Sequence, residues 1–299
     1  MIALLLLACA GKPVGTDTAD TGATTSTEVV TSSPVDTAST NTDTPTTNTT
    51  SSTTGTTTGT TGTSGTTGTT ATGTTGTTTG DPAPEGPVLA DVVLEAPGAD
   101  SGLFRDPELA VNGVRGGGPF MGSLDVYSIG LEPGDDLLVL GWSDRVVVDV
   151  PGPDLAVFEN PFDTGPSSRF MDPAIVEVSP DGIDFVAFPV DYDAPDRTVW
   201  SSDPTHWRGF AGVTPVSLHA EDNPVDPFSL EAGGDVFDLA DLPADDPTTV
   251  RIFMDGVRAV RVTAAAAQVD PETGAPWPRD PVSNGPDIDG IWAQAVIAD

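Results

Sequence analysis

Asp136-Leu137-Leu138-Val139-Leu140-Gly141-Trp142, Arg145-Val146-Val147-Val148-Asp149-Val150 and Asp154-Leu155-Ala156-Val157-Phe158-Glu159 follow one another, separated only by Ser143-Asp144 and Pro151-Gly152-Pro153. Each run is short, rich in aliphatic and β-branched residues and closed by turn formers, which is how strands read in a sequence. The same texture recurs at Val88 to Glu95, Ala174 to Val178, Asp184 to Val190, Thr249 to Met254, Val257 to Thr263 and Gly290 to Ile297. Asp-Pro pairs at Asp106, Asp172, Asp203, Asp226, Asp246, Asp270 and Asp280 break it up, since each proline fixes φ and removes a ladder donor. No stretch sustains a long 3.6-residue apolar period. The pattern predicts an all-β domain over residues 81–299, a sandwich whose strands alternate inward and outward. The span 191–247 is poorer in strand signals and reads as elaborated loops at one end of the sandwich, the usual place for functional surfaces.

Charge narrows the function. The chain has 299 residues, with 11 Lys+Arg against 45 Asp+Glu, a net charge of −34. Residues 81–299 hold ten Arg, no Lys, 31 Asp and 9 Glu, so 10 minus 40 places −30 on the β-domain. Nucleic-acid binding needs a basic footprint, and anionic lipid would repel this surface. A single cysteine excludes an internal disulfide framework and a Cys-rich zinc site. H-E-x-x-H, G-x-S-x-G, P-loop and dinucleotide fingerprints are all missing.

The N-terminal part has a different character. Met1 to Ala8 is apolar but far short of the ~20 residues of a spanning helix, and it reads as the core of a signal peptide, residues 1–8. It ends in Leu6-Leu7-Ala8-Cys9, which resembles the bacterial lipobox and implies cleavage before Cys9 and lipidation of its sulfur. Residues 9–80 lack apolar periodicity, and 44–80 are Thr, Gly, Ser, Asn, Ala and Pro without a charge; such a segment cannot offset its ordering entropy and is expected to be a disordered stalk. The expected address is the bacterial cell envelope, as a surface-exposed outer-membrane lipoprotein touching the membrane through its lipid anchor alone.

Three blocks of the β-domain carry a resemblance. They are Gly152-Pro153-Asp154-Leu155-Ala156-Val157-Phe158-Glu159-Asn160-Pro161-Phe162, then Val176-Glu177-Val178-Ser179-Pro180-Asp181-Gly182, then Gly233-Gly234-Asp235-Val236-Phe237-Asp238-Leu239-Ala240. In this order they resemble a family of secreted, often anchored bacterial cell-surface proteins, and the Val-Ser-x-Asp-Gly hairpin is similar to that of discoidin-type jelly rolls. The resemblance implies a jelly-roll β-sandwich of the galactose-binding-like kind, and no defined activity. The ending Asp287-Ile288-Asp289 also resembles the last strand of carbohydrate-binding jelly rolls, where a C-terminal acid and a glutamate of the first strand hold a structural calcium. Glu95 would be the matching glutamate.

Residues two apart on a strand share a face, so Asp287 and Asp289 would repel each other unless a cation lay between them. Calcium takes six to eight oxygens from carboxylates, amides and carbonyls, and Asp154, Glu159, Asn160, Asp235 and Asp238 add donors of the right type. Glu159 shares strand parity with Leu155 and Val157 and is expected inside, where a carboxylate needs a partner. For ligand contact the aromatic residues Trp200, Trp207, Phe210 and Trp277 are the candidates, because exposed indole and phenyl rings stack on sugar faces. Trp277, between Pro276 and Pro278, is expected to escape the core. The reading is a calcium-stabilised surface module that binds a glycan or another extracellular ligand. Two alternatives stay open: a polysaccharide hydrolase using a carboxylate pair, and a structural surface-layer or adhesion protein.

Overall fold

The computed structural model describes residues 83–299. The signal peptide 1–8, the lipidation site Cys9 and the stalk 9–80 lie outside the described residues. Within them the chain is mostly short strands with one α-helix. Five antiparallel strands form the larger sheet in the order Val186–Ala187, Ala174–Ser179, Ala259–Ala264, Leu137–Gly141 and Val92–Glu95. Four more form the second, in the order Val88–Leu89, Gly290–Ala293, Leu155–Phe158 and Asp235–Phe237.

Alternation builds the core between them. Leu138, Leu140, Val176, Val178, Val260 and Val262 from the larger sheet join one buried cluster with Leu155, Val157, Phe237, Ile291 and Ala293 from the smaller. That shared cluster makes the domain a β-sandwich. The intervening residues of the smaller sheet are buried too: Ala156 and Phe158 pack with Val114, Val216, Leu218 and Ala232. Loops between Val213 and Gly234 therefore cover the smaller sheet's outer face, which explains why Leu155–Phe158 is a continuous apolar run rather than an alternating one. A third cluster gathers Met171, Tyr192, Trp207, Phe210, Val213 and Trp277.

The strands depart from the sequence reading at several places; the run Gly290 to Ile297, for one, is divided between Gly290–Ala293 in the smaller sheet and Val296–Ala298 paired with Arg145–Val147. The run Val88 to Glu95 is cut at buried Ala90: Val88–Leu89 pairs with the smaller sheet and Val92–Glu95 with the larger. The stretch Thr249 to Met254, predicted as a strand, lies inside the helix Pro247–Asp255. Its β-branched residues look strand-like, yet the ends decide the structure. Asp246 accepts from the Thr248 N–H, Pro247 occupies the first turn, and Gly256 at φ 77° closes the last.

Arginine supplies the cross-links. Nine of the ten arginines of the domain pair with carboxylates, all but Arg279. Arg261 is the best placed: it grips Glu177 on the adjacent strand with two bonds of 2.5 and 2.6 Å and lies 4.1 Å over the Phe185 ring.

Candidate functional site

The acids named from the sequence fall into separate places. Glu95 is exposed on an edge strand of the larger sheet, whereas Asp287 and Asp289 border the smaller one. The two C-terminal acids also part company. The Asp287 carboxylate accepts from the Ser128 hydroxyl, and both Asp289 oxygens take the Arg115 N–H at 3.0 and 2.9 Å. The strand switch at Ala90 is what separates Glu95 from this region.

Asp154 is fully buried, and its two oxygens accept the N–H groups of Val150 and Leu239, each at 2.8 Å. Burial pushes its carboxyl up to about 6 against those two bonds. Asp149, Asp154 and Asp238 offer oxygens within 4.8 Å of one another, the one such cluster of three among the described residues. Asp238 also caps the turn Leu239–Asp241, so much of this cluster is already engaged in holding backbone.

Glu159 and Asn160 sit just past the end of Leu155–Phe158, and Glu159 points inward as its parity predicts, 2% exposed. Asn160 clamps Ser123, accepting from its N–H and donating to its carbonyl at 3.0 Å. Glu159 Oε1 accepts the Asp287 N–H at 2.9 Å, but Oε2 has no partner. The structure adds a residue that sequence reasoning missed: Asp172, 7% exposed, raises the pKa of Glu159 on top of the larger effect of burial, while its own carboxyl is pushed up by burial and by Asp287 and Asp280, against Ser283 and Arg279. Its only sequence signal is the Asp172-Pro173 pair, which predicts a turn.

The aromatic candidates do come together, though mostly below the surface. Tyr192, Trp207, Phe210 and Trp277 form a chain of rings at 4.0, 5.3 and 5.2 Å, with half-buried Trp200 5.1 Å from Trp207. Trp277 is 3% exposed despite its flanking prolines. Prolines restrict the backbone and leave the indole free to pack, so the expected exposure is corrected here.

The chain of rings ends at the surface in a groove of about 440 Å³, within the range of small-ligand sites. Trp207 and Phe210 line it together with Phe228, Leu230, Asp235 and Val236. Leu230 is fully exposed and Val236 about half exposed, so the apolar rim is open. Asp235 is anchored at its Oδ2 by the N–H groups of Val213 (2.9 Å) and Thr214 (3.3 Å), and burial pushes it up to about 6. The backbone turns tightly beneath: Gly233 and Gly234 both have φ near 70°, and a Cβ on Gly234 would meet Phe158 Cδ1 at 2.6 Å. Such a site offers apolar faces and one carboxylate acceptor, which suits a ligand carrying both hydroxyls and C–H surfaces.

No protein-family model, curated protein or solved structure matches this chain. Among the described residues no helix is long and apolar enough to cross a membrane.

Proposed function

We propose that the protein is a binding module displayed at the bacterial cell surface: lipid-anchored through Cys9, carried on the Thr/Gly-rich stalk, and folded as a calcium-stabilised jelly-roll sandwich. Its ligand is an extracellular glycan, taken in the groove beside Trp207 and Phe210. One observation carries this reading: the 440 Å³ groove joins Trp207 and Phe210, which the sequence proposes as ligand contacts, with Asp235, which it proposes as a metal ligand. The exposed rim at Leu230 and Val236 and the carboxylate of Asp235 supply apolar contact and a hydroxyl acceptor in one place.

A glycan array probed with the full chain tests it. The wild type is expected to bind a limited set of glycans, and Leu230→Asp to weaken that binding roughly tenfold or more, the scale of losing one apolar contact, with the melting temperature unchanged. Binding to no glycan at all, or binding indifferent to Leu230→Asp, refutes the proposal.

A further inference from the structure

The wall of the groove carries a single charge. Asp235 is the one ionisable residue that lines it, and no arginine or histidine joins it there. The two arginines that adjoin the lining are engaged elsewhere: Arg208 pairs with Asp191 and Asp193, and Arg169, which donates to the Val213 carbonyl oxygen, pairs with Asp163. The N–H groups of Val213 and Thr214 hold Asp235 Oδ2 in place, and a carboxyl pushed up to about 6 is still mostly ionised at neutral pH. The groove therefore presents a fixed negative charge with no protein cation to neutralise it, between apolar walls that focus its field. Half-buried Phe228 lines the same groove with Trp207 and Phe210. These features sort ligands by charge. An anionic sugar is repelled by Asp235 and by a domain of ten Arg against 40 Asp+Glu. A neutral sugar can hydrogen-bond the carboxylate but leaves its charge standing. A protonated amine makes a charge-assisted hydrogen bond to the carboxylate and is attracted to aromatic rings as well.

We propose that the groove selects an amino sugar whose amine is free and protonated rather than acetylated, with Asp235 as the residue that reads the charge. The inference rests on the glycan reading of the groove and narrows it to one class. Acetylation removes the positive charge and keeps the sugar ring, so the acetylated form is the matched control. Leu230→Asp remains a loss for such a ligand, because an acid at that fully exposed position stays solvated and attracts little.

The test is calorimetric titration of the full chain with two probes, the β-1,4-linked tetramer of glucosamine and the same tetramer fully N-acetylated. It is run at about pH 6.5, where a sugar amine is protonated and Asp235 largely ionised, and at physiological ionic strength, which screens loose attraction to surface acids. The wild type is expected to bind the free-amine tetramer about ten- to a hundredfold more tightly, the scale of a hydrogen bond to a charged group. Asp235→Asn, whose amide oxygen can still accept from Val213 and Thr214, should reduce that preference to less than about threefold. Glu231→Gln, which removes an exposed acid beside the rim but outside the lining, should keep it. Val236→Arg sets a competing cation on the half-exposed rim and should also reduce the preference; it decides the matter if near-ultraviolet circular dichroism shows that Asp235→Asn does not fold. A wild type that binds both tetramers alike, or the acetylated one better, overturns the inference and leaves the glycan reading standing. A preference that survives in Asp235→Asn, or falls equally in Glu231→Gln, overturns it too. A wild type that binds neither tetramer overturns it as well, and the glycan array then decides the wider reading alone.

Discussion

Replacing Phe210 by alanine is the sharpest test of how the aromatic cluster works. Phe210 is 2% exposed and meets Trp207 and Trp277 edge-on at 5.3 and 5.2 Å. A buried Phe→Ala change costs about 3–5 kcal/mol through lost transfer energy and the cavity left behind. Two edge-to-face pairs at about 0.5–1.5 kcal/mol each belong to that sum. Phe210→Ala is therefore expected to lose about 4 kcal/mol, and Phe210→Leu, which keeps apolar volume but no ring edge, about 1–3 kcal/mol. For a domain of this length 1 kcal/mol corresponds to roughly 2–4 °C, so the alanine variant should melt about 8–16 °C lower. Urea denaturation followed by tryptophan fluorescence reads the change through Trp207 and Trp277 themselves, and an unaltered slope would show that the unfolded state is not the cause. A loss below about 1 kcal/mol refutes the packing argument. Lost ligand binding with stability intact would instead make Phe210 a contact residue rather than the floor of the groove.

Acidity should act in an unusual direction. Burial pushes Asp289 up to about 7 and Asp154 up to about 6, against roughly 3.9 in the unfolded chain; the native state then holds more protons across that window, and stability falls as pH rises through it. Asp181 and Asp191, held low chiefly by hydrogen bonds from Arg251 and Arg208, oppose this only below about pH 4. In EDTA the urea midpoint should accordingly be higher at pH 5 than at pH 8, and the reverse order would refute the assignment. Gly234→Ala forces a side chain into φ +72° and to 2.6 Å from Phe158, so a loss of roughly 2–6 kcal/mol or failure to fold is expected, measured as soluble yield and urea midpoint. Arg261→Lys keeps the charge but gives up the two-bond grip on Glu177 and the stacking on Phe185, a loss of about 1–2 kcal/mol by the same denaturation assay.

The sandwich was legible because its strands are local objects: Leu155–Phe158 and Ala259–Ala264 declare themselves by composition, and the inward direction of Glu159 follows from parity with Leu155 and Val157. What failed were features set by ends or by distant partners. Thr248, Thr249, Val250 and Ile252 carry a strand-like signal, but the Asp246-Pro247 start and the Gly256 stop make a helix of them. The pairing of Glu95 with the last acids presumed that the first strand stays in one sheet, and Ala90 sends its two halves to different ones. Asp172 could not be recognised beside Glu159, because their proximity is made by Gly212, far along the chain, folding back against both. The groove assembles from Trp207, Phe228 and Val236, whose spacing in the sequence carries no period to detect.

The arginine pairing has a consequence for proteolysis. Residues 83–299 contain no lysine, so trypsin can cut the domain only after arginine, and nine of those ten side chains are tied to carboxylates. A guanidinium must leave its partner and its backbone must extend before the protease can seat it, so cleavage at those nine sites requires local opening. Arg279 is exposed and carries no such tie, which makes it the natural first nick. Tryptic digestion would thus separate a single early cut from the cooperative opening of the sandwich.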